Sequence, residues 1–410
     1  MLGGGGLKGF AHIGALQALT ERGVMPDLVA GSSIGALIGT AFTSGMSVTE
    51  MSYRAVSLRR RDLFRINHFG MAFERMRSPS IYLESPLREL VESICPDLML
   101  SELPMPTIVN TVDVERGTQV AWGLPGLADV SARDAVYASC SLPGFFPPGV
   151  VDGRTCVDGG TMDNLPVSAA AGYGVKAVIA VDVGNSDLAH AEDVAEEGFA
   201  SIYMRSATVM MRHLQLYPLE SWGSPPMLLV RPRVSHIRWF SFGNAEELIH
   251  AGYEATMEAL DHMDQLLAAD SGIYPRRRVR LSVDRSLCIG CGLCVSLAPE
   301  TMALDVDRLA YPIENEVLWS PADGEFVRQC PTLAIVAESD EAPPVSETAD
   351  TEPLAVETRP PASVRLRRRL GRLKSRITPS ASSAVPEAPG AGSDAGREER
   401  PRIRPREERR

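Results

Sequence analysis

The stretch Asp27-Leu28-Val29-Ala30-Gly31-Ser32-Ser33-Ile34-Gly35-Ala36-Leu37-Ile38-Gly39 decides the fold of the first part of the chain. A short apolar run, Leu28 to Ala30, meets the motif G-x-S-x-G and passes at once into a small-residue helical pattern, Ala36 to Phe42. A nucleophile elbow requires this strand–turn–helix context. The two glycines of the motif leave room for a sharp turn. The pattern therefore predicts Ser33 at the tip of an elbow, and the alternative is a chance match in a Gly-rich chain.

Two further Gly-rich stretches flank this motif along the chain. Upstream, Gly3-Gly4-Gly5-Gly6-Leu7-Lys8-Gly9 opens a helical pattern, so that free backbone N–H groups at a helix start can face an anion. Downstream lies Val157-Asp158-Gly159-Gly160-Thr161-Met162-Asp163-Asn164-Leu165-Pro166. A Gly-rich loop, G-x-S-x-G and D-G-G in this order resemble the patatin-like phospholipases, which hydrolyse acyl esters with a Ser–Asp dyad. The resemblance extends from Gly3 to Leu266 and includes the segment from Tyr137 to Pro148.

This resemblance implies an α/β fold with a three-layer, doubly wound sheet, and it implies a base for Ser33. Three aspartates compete for that role. Asp158 occupies the D-G-G position and is the expected base. Asp152-Gly153 is expected to be a turn, and Asp163 is expected either to be a cap or to support the site without touching the substrate. The carboxylate of a Ser–Asp dyad takes the serine proton directly. Such a transfer requires contact at roughly 2.6–3.2 Å and a partly desolvated carboxylate with a raised pKa.

The glycine loop also matches G-x-G-x-x-G, which is a dinucleotide-binding fingerprint. That alternative requires an acidic residue at the end of the second strand, where this chain has Gly31-Ser32-Ser33. We therefore expect the loop to form an oxyanion hole from the backbone N–H groups of Gly4, Gly5 and Gly6. The sequence leaves open which two of these amides point inward.

The start of the chain lies close to this loop. In the patatin-like fold a buried central strand precedes the loop, whereas here only Met1 and Leu2 precede it. We expect that this first strand is truncated in the sequence, and we favour a start codon further upstream. Lys8 is expected to be an exposed residue of the first helical turn. His12 is expected to be a packed or capping histidine, because the family completes its site without one.

A second cluster of motifs lies near the end of the chain. Cys288-Ile289-Gly290-Cys291-Gly292-Leu293-Cys294 is followed later by Cys330-Pro331, and this spacing is typical of iron–sulfur sites. Where two-cluster ferredoxins continue to another Cys-Pro, this chain has Ala298-Pro299. We therefore expect one [4Fe–4S] cluster on Cys288, Cys291, Cys294 and Cys330. Zinc is the alternative, but zinc sites usually arrange cysteines as separated C-x2-C pairs. Residues 280–337 resemble the small single-cluster ferredoxins, which pass one electron at a time.

Length and composition suggest two folded units and a tail. The chain has 410 residues, a formal net charge of −11 and seven cysteines. This charge is not the footprint of a nucleic-acid-binding protein, and no apolar run reaches the roughly 18 residues of a membrane-spanning helix. No secretory signal is visible, and the cysteine pattern favours a reducing, cytoplasmic compartment. We predict a hydrolase domain at residues 1–275, a ferredoxin-type domain at 280–337 and a disordered tail at 338–410.

The predicted tail is first acidic and then basic. Glu338 to Glu357 has the composition of a disordered linker. Val364 to Ile377 carries apolar residues at helical spacing among seven Arg and Lys residues. Such a segment can lie on an anionic membrane, with roughly 1 kcal/mol per basic residue, so we consider peripheral contact with the inner face of the membrane. The alternative is a solvated tail that pairs with the acidic linker.

Together these motifs predict a lipid acyl ester hydrolase joined to a ferredoxin. Ser33 attacks the ester carbonyl of a phospholipid or other lipid ester, Asp158 is the base, and water resolves the acyl-enzyme. The cluster could control the hydrolase, deliver electrons to a redox partner protein, or act as a structural clamp. The alternative is a ferredoxin-type electron carrier whose lipase-like unit is a docking module for a membrane or partner. The intact catalytic motifs argue against that alternative, and the truncated first strand argues for it.

Overall fold

The computed structural model describes residues 1–67, 80–184 and 199–339. All of these residues lie within one compact part of the chain, Met1–Pro344. The predicted tail, apart from Glu338 and Ser339, lies outside the described residues, as does its basic helical segment at 364–377. Within the described ranges, no helix combines the length and the apolar character needed to cross a membrane.

The chain up to Tyr274 alternates helices with short strands. Its strands are β1 (Val29–Ser32), β2 (Thr107–Asp113), β3 (Thr118–Trp122), β4 (Gly149–Val151), β5 (Arg154–Asp158), β6 (Val178–Val181), β7 (Met227–Val230) and β8 (Ile273–Tyr274). Its helices are α1 (Ala11–Glu21), α2 (Ile34–Thr43), α3 (Val48–Ser57), α4 (Arg60–Leu63), α5 (Glu84–Ile94), α6 (Ala132–Cys140), α7 (Val167–Gly172), α8 (Phe199–Glu220), α9 (Ala245–Leu260) and α10 (Met263–Leu267). A short 3-10 helix, Gly6–Phe10, precedes α1.

Strand β2 organises the first group of strands. Along one edge of β2, β1 pairs in parallel with Thr107 to Asn110 and β5 pairs antiparallel with Thr111 to Asp113. Strand β3 pairs antiparallel with the other edge, and β4 pairs with β5. Because β1 and β5 run toward each other along the same edge, their carboxyl ends meet. This meeting point carries the candidate active site.

A second group of strands, β6, β7 and β8, is parallel throughout. Leu2 connects the two groups through parallel bridges to Gly31 of β1 and Val181 of β6. Its N–H donates to Ala30 O at 2.8 Å, and its carbonyl accepts from Ser32 N–H at 3.1 Å. The sequence led us to expect a truncated first strand. At this position the structure has isolated parallel β-bridges, which join Leu2 to β1 and to β6.

Helices cover both faces of this sheet. In β7, Leu228 and Val230 belong to the apolar cluster that includes α1 and α9, whereas Met227 and Leu229 belong to a cluster with Val167 of α7. Because successive strand residues point to opposite faces, this division places helices on both sides of the strands. The predicted three-layer α/β fold is confirmed.

The described residues from Arg277 onward form a smaller unit of short strands and helices. Its elements are β9 (Arg277–Val283), α11 (Leu293–Leu297), β10 (Met302–Leu304), β11 (Ala310–Pro312), β12 (Glu316–Trp319), α12 (Glu325–Arg328) and β13 (Ile335–Ser339). Strand β9 lies between β12 and β13 in an antiparallel sheet, and β10 pairs with β11. A separate apolar cluster, which includes Leu281, Met302 and Phe326, fills this unit. The exact domain boundaries near residues 275 and 280 stay a prediction.

Candidate functional site

Ser33 forms the turn between β1 and α2. Its backbone dihedrals, φ 53° and ψ −127°, lie in a region that L-residues rarely adopt. The glycines of the motif allow this turn by close approach: a Cβ on Gly31 would lie 2.5 Å from the backbone of Gly35, and a Cβ on Gly35 would lie 2.2 Å from Leu2 O. The surrounding packing therefore holds a strained turn that lifts the Ser33 side chain out of the sheet.

Strand register brings Ser33 to Asp158. Ser32 ends β1 opposite Asn110, and Asp158 ends β5 opposite Thr111, the next residue of β2. The two carboxyl ends are thus adjacent on one edge. Ser33 Oγ donates a hydrogen bond to Asp158 Oδ2 at 2.6 Å, which is within the range for direct proton transfer.

The environment of Asp158 favours a base. The residue is 4% exposed, and its Oδ1 accepts a hydrogen bond from Gly160 N–H at 2.8 Å. Burial raises the pKa of its carboxyl from 3.8 to about 6, although the hydrogen bonds from Ser33 and Gly160 act in the opposite direction. At pH 7 the carboxylate is therefore mostly ionised, yet basic enough to accept a proton.

The other titratable candidates have structural roles. Asp163 Oδ1 accepts from Leu165 N–H at 3.2 Å, a local bond within the loop that precedes α7. Asp152 lies in the β4–β5 turn with φ 48°. His12 is buried, its Nε2 is 2.7 Å from Gly3 O, and burial lowers its pKa to about 4, so the neutral ring donates to that carbonyl. The expectations of a turn at Asp152 and of a packed histidine at His12 are confirmed. The expectation of a cap at Asp163 is wrong, because the N-cap residue of α7 is Pro166 and α7 has no side-chain cap.

The Gly-rich loop lies beside the dyad, but its amides differ. Gly4 N–H donates to Asn164 O at 3.0 Å, so this amide does not face the nucleophile. The N–H groups of Gly5 and Gly6 have no hydrogen-bond acceptor among the described residues, and Gly6 lines a cavity together with Ser33.

The expectation that Lys8 is exposed is wrong. The helix packs the Lys8 side chain into the protein, and this burial lowers the pKa of its amine to about 8.

A largely apolar cavity adjoins Ser33 and Asp158. Its empty volume is about 980 Å³, which includes space open to solvent. Apolar side chains from several helices and loops line it, among them Ile13, Leu37, Ile38, Met51, Leu87 and Phe146. Such walls suit a hydrocarbon chain better than a polar substrate.

Ser139 is a site residue that sequence reasoning missed. Its Oγ accepts a hydrogen bond from Ser33 N–H at 2.9 Å and donates one to Asn110 O at 2.7 Å. It is fully buried near the end of α6. The available signal was a serine among the small apolar residues of the Tyr137–Pro148 segment, but its partner Ser33 is far away in the sequence.

The four predicted cysteine ligands surround one cavity in the smaller unit. Cys288, Cys291, Cys294 and Cys330 line a cavity with an empty volume of about 340 Å³. Positive φ angles at Gly290 (65°) and Gly292 (75°) bend the chain between the first three cysteines. A Cβ on Gly290 would lie 2.4 Å from Arg308 O, so the loop depends on glycine there.

The donors around these sulfur atoms suit thiolate ligands. Ala310 N–H donates to Cys288 Sγ at 3.4 Å. Burial raises the pKa of Cys330, but N–H donors at positions 332, 334 and 335 and the Thr332 hydroxyl outweigh this effect and lower it overall. Within the described ranges, no three or more His, Cys, Asp or Glu side chains are grouped as a site for one metal ion.

Comparison with known proteins gives two family matches. The model for patatin-like phospholipase matches residues 1–171, and the model for a 4Fe-4S single cluster domain matches residues 281–337. An uncharacterized NTE family protein of Mycobacterium bovis is 35% identical over 47% of this chain and 50% of its own length. Patatin-like phospholipase domain-containing protein 6 of Homo sapiens is 28% identical over 62% of this chain and 19% of its own length.

The matched region thus spans half of the mycobacterial relative and about a fifth of the human one. Among solved structures, VipD from Legionella pneumophila is similar with a TM-score of 0.38 and 15% identity, over 63% of this chain and 65% of that chain.

Proposed function

We propose that this chain, which contains a patatin-like phospholipase domain and a C-terminal 4Fe-4S single cluster domain, hydrolyses lipid acyl esters with Ser33 as nucleophile. The observation that carries the proposal is the 2.6 Å hydrogen bond from Ser33 Oγ to the buried Asp158 carboxylate beside a largely apolar cavity. The aspartate can activate the serine as a nucleophile, and the apolar cavity can hold the acyl chain of a lipid ester.

In the acylation step, Asp158 Oδ2 takes the proton of Ser33 Oγ while the oxygen attacks the ester carbonyl. The carbonyl oxygen becomes an oxyanion, and the N–H groups of Gly5 and Gly6 are the donors proposed to stabilise it. The intermediate then collapses, the bond to the leaving alcohol breaks, and the proton held by Asp158 passes to that alcohol. The acyl group remains on Ser33 with its chain in the cavity.

In the deacylation step, Asp158 takes a proton from water, and the resulting hydroxide attacks the acyl-enzyme carbonyl. The proton returns to Ser33 Oγ when the fatty acid leaves, so the enzyme is regenerated. The substrate class is a phospholipid or another lipid ester.

Labelling with a fluorophosphonate probe, which reacts with activated serines, tests this function. Wild type should be labelled and should release fatty acid from phospholipid vesicles, and Ser33→Ala should lose both. Asp163→Asn is a matched control, because Asp163 lies on the same loop as Asp158 but its Oδ1 accepts from Leu165 N–H and not from Ser33. An unlabelled, inactive wild type would contradict the proposal and favour an electron carrier with a lipase-like docking unit.

For the C-terminal unit, we propose that Cys288, Cys291, Cys294 and Cys330 together hold one [4Fe–4S] cluster. Such a cluster supplies one-electron transfer when bound, and a protein redox partner would follow from that chemistry. Anaerobically purified wild type should contain about four irons and four sulfides per chain. Cys330→Ser should lose most of both, whereas Cys95→Ala, which removes a buried thiol of the first unit, should keep them. Equal iron in all three proteins would overturn this assignment.

A further inference from the structure

Asn164 is a buried polar residue that the proposed reaction does not use. It lies on the loop that follows Asp158 and is 3% exposed. Its backbone carbonyl accepts from Gly4 N–H at 3.0 Å, and its side-chain Nδ2 donates to Gly4 O at 2.9 Å. Both polar groups of Gly4 are thus held by this one residue.

Three glycines enclose the Asn164 side chain. A Cβ on Gly4 would lie 2.3 Å from Asn164 Oδ1, one on Gly160 would lie 2.7 Å from the same atom, and one on Gly184 would lie 2.5 Å from Nδ2. None of these distances is compatible with a real Cβ atom. Asn164 Oδ1 has no hydrogen-bond partner among the described residues. Burial of an unsatisfied acceptor is unfavourable, whereas Nδ2 of the same amide keeps its hydrogen bond to Gly4 O.

Two of these glycines, Gly4 and Gly160, also lie next to the proposed catalytic pair. The Cβ position on Gly4 is 3.2 Å from Ser33 Cβ, and the Cβ position on Gly160 is 3.2 Å from Asp158 Oδ1. Asn164 therefore joins the loop that carries the proposed base to the loop that carries the proposed oxyanion donors.

Because of peptide geometry, the hydrogen bond from Asn164 Nδ2 to Gly4 O also sets the direction of the Gly5 N–H. The carbonyl of Gly4 and the N–H of Gly5 belong to the same planar trans peptide unit, in which they point in opposite directions. Because Asn164 Nδ2 holds the Gly4 carbonyl on its own side, it fixes the Gly5 N–H on the other side. Rotation of this one peptide would remove Gly5 N–H from the oxyanion hole.

We propose that Asn164 is a positioning residue that locks the Gly4–Gly5 peptide and thereby aims the Gly5 N–H at the developing oxyanion. This inference rests on the proposed hydrolase function for its kinetic consequence, but the orientation of the peptide is a property of the fold itself.

Asn164→Asp tests the lock with an almost isosteric change. An ionised carboxylate cannot donate to Gly4 O and repels it, whereas a protonated one can still donate. At pH 8 we expect kcat to fall about 10²-fold, the size of effect seen when one oxyanion donor is lost, with KM changed less than about threefold. The neighbouring Asp163→Asn variant should keep the wild-type kcat.

The pH dependence separates positioning from packing. Asp158 lies beyond Gly160 from this side chain, and Asp182, which pairs with Arg231 at 3.2 Å, lies beyond Gly184. Burial at this position and the charge of Asp158 would raise the pKa of the introduced carboxyl. The ratio of variant to wild-type kcat should therefore rise as the pH falls from 8 to 5.5. A merely structural defect would give a ratio that does not depend on pH.

A crystal structure of Asn164→Asp at pH 8 gives a readout that needs no activity. A rotated Gly4–Gly5 peptide is expected, and a peptide in the wild-type orientation together with wild-type kcat would overturn the inference. If wild type itself lacks fluorophosphonate labelling, the proposed function fails, and the peptide orientation alone decides the inference. Should the variant not fold, Gly184→Ala displaces the unchanged Asn164 side chain and should rotate the same peptide.

Discussion

The two candidate sites of this chain are organised in opposite ways. Around Ser33, the protein itself provides the partners: Ser139 accepts from its N–H, Asp158 accepts from its hydroxyl, and Gly160 in turn donates to Asp158. Around the four cysteines, the chain forms a cavity of about 340 Å³ with a few N–H donors, and one of the four, Cys291, is exposed.

This difference indicates which substitutions should lower the rate of hydrolysis and which should lower the iron content. A site that is built from protein hydrogen bonds is already arranged for its reaction, so the loss of one donor or acceptor acts directly on the rate. A cavity lined by thiols is completed by an added group, so it should respond to the loss of a ligand and to the supply of iron and sulfide. The two sites should therefore fail independently.

We expect the largest effects from two single substitutions, one in each site, measured as loss of hydrolysis and loss of iron. Asp158→Asn should lower kcat/KM by at least about 10³-fold, because the proton of Ser33 loses its acceptor, and should leave the iron content unchanged. Cys330→Ser should lose the iron and keep hydrolysis within about threefold of wild type. The measurements are ester hydrolysis and iron content on the same preparations. A large loss of hydrolysis in Cys330→Ser would break the comparison and indicate control of the hydrolase by the cluster.

The pH dependence of hydrolysis should show a smaller effect, of about tenfold. Because burial raises the pKa of Asp158 to about 6, the carboxylate is mostly protonated at pH 5 and mostly ionised at pH 7, and kcat/KM should rise over that interval. Folding favours the protonated form, so the stability contributed by this carboxyl should decrease as the pH rises from about 4 to 6. The measurements are the pH profile of kcat/KM and denaturant unfolding at both ends. An activity that is flat from pH 5 to 7 would argue against Asp158 as the base.

Removal of Ser139 Oγ should have the smallest of these effects. Ser139→Ala leaves the N–H of Ser33 without an acceptor in a strained turn, at a cost of about 1–3 kcal/mol. We expect kcat/KM to fall about tenfold with no change in iron content. Ser141→Ala is the matched control, because its hydroxyl is also buried but donates to Tyr137 O within its own segment. Equal losses in both variants would assign the effect to general destabilisation of this segment.

The sequence alone predicted the local parts of both sites. The strand–turn–helix around Ser33 follows from a short pattern, because chain neighbours decide turns and helix starts. The turn at Asp152 was predicted for the same reason. The cysteine spacing likewise predicted four residues that line one cavity.

Some expectations failed where packing overrides local pattern. Lys8 was expected on the surface, since a lysine in a first helical turn usually stays in water, but the helix buries it. Asn164 and Ser139 received no role, because their importance depends on Gly4 and Ser33, which lie more than a hundred residues away in the sequence.

The sequence by itself determined which residue types could do the chemistry, and the tertiary structure decided how they meet. G-x-S-x-G and D-G-G are local signals, and each specifies a turn that its own glycines make sterically possible. That Ser33 and Asp158 lie 2.6 Å apart depends on β1 and β5 meeting on one edge of β2. Strand pairing over such sequence distances is set by register and by packing on both faces of the sheet, which no short stretch of sequence encodes.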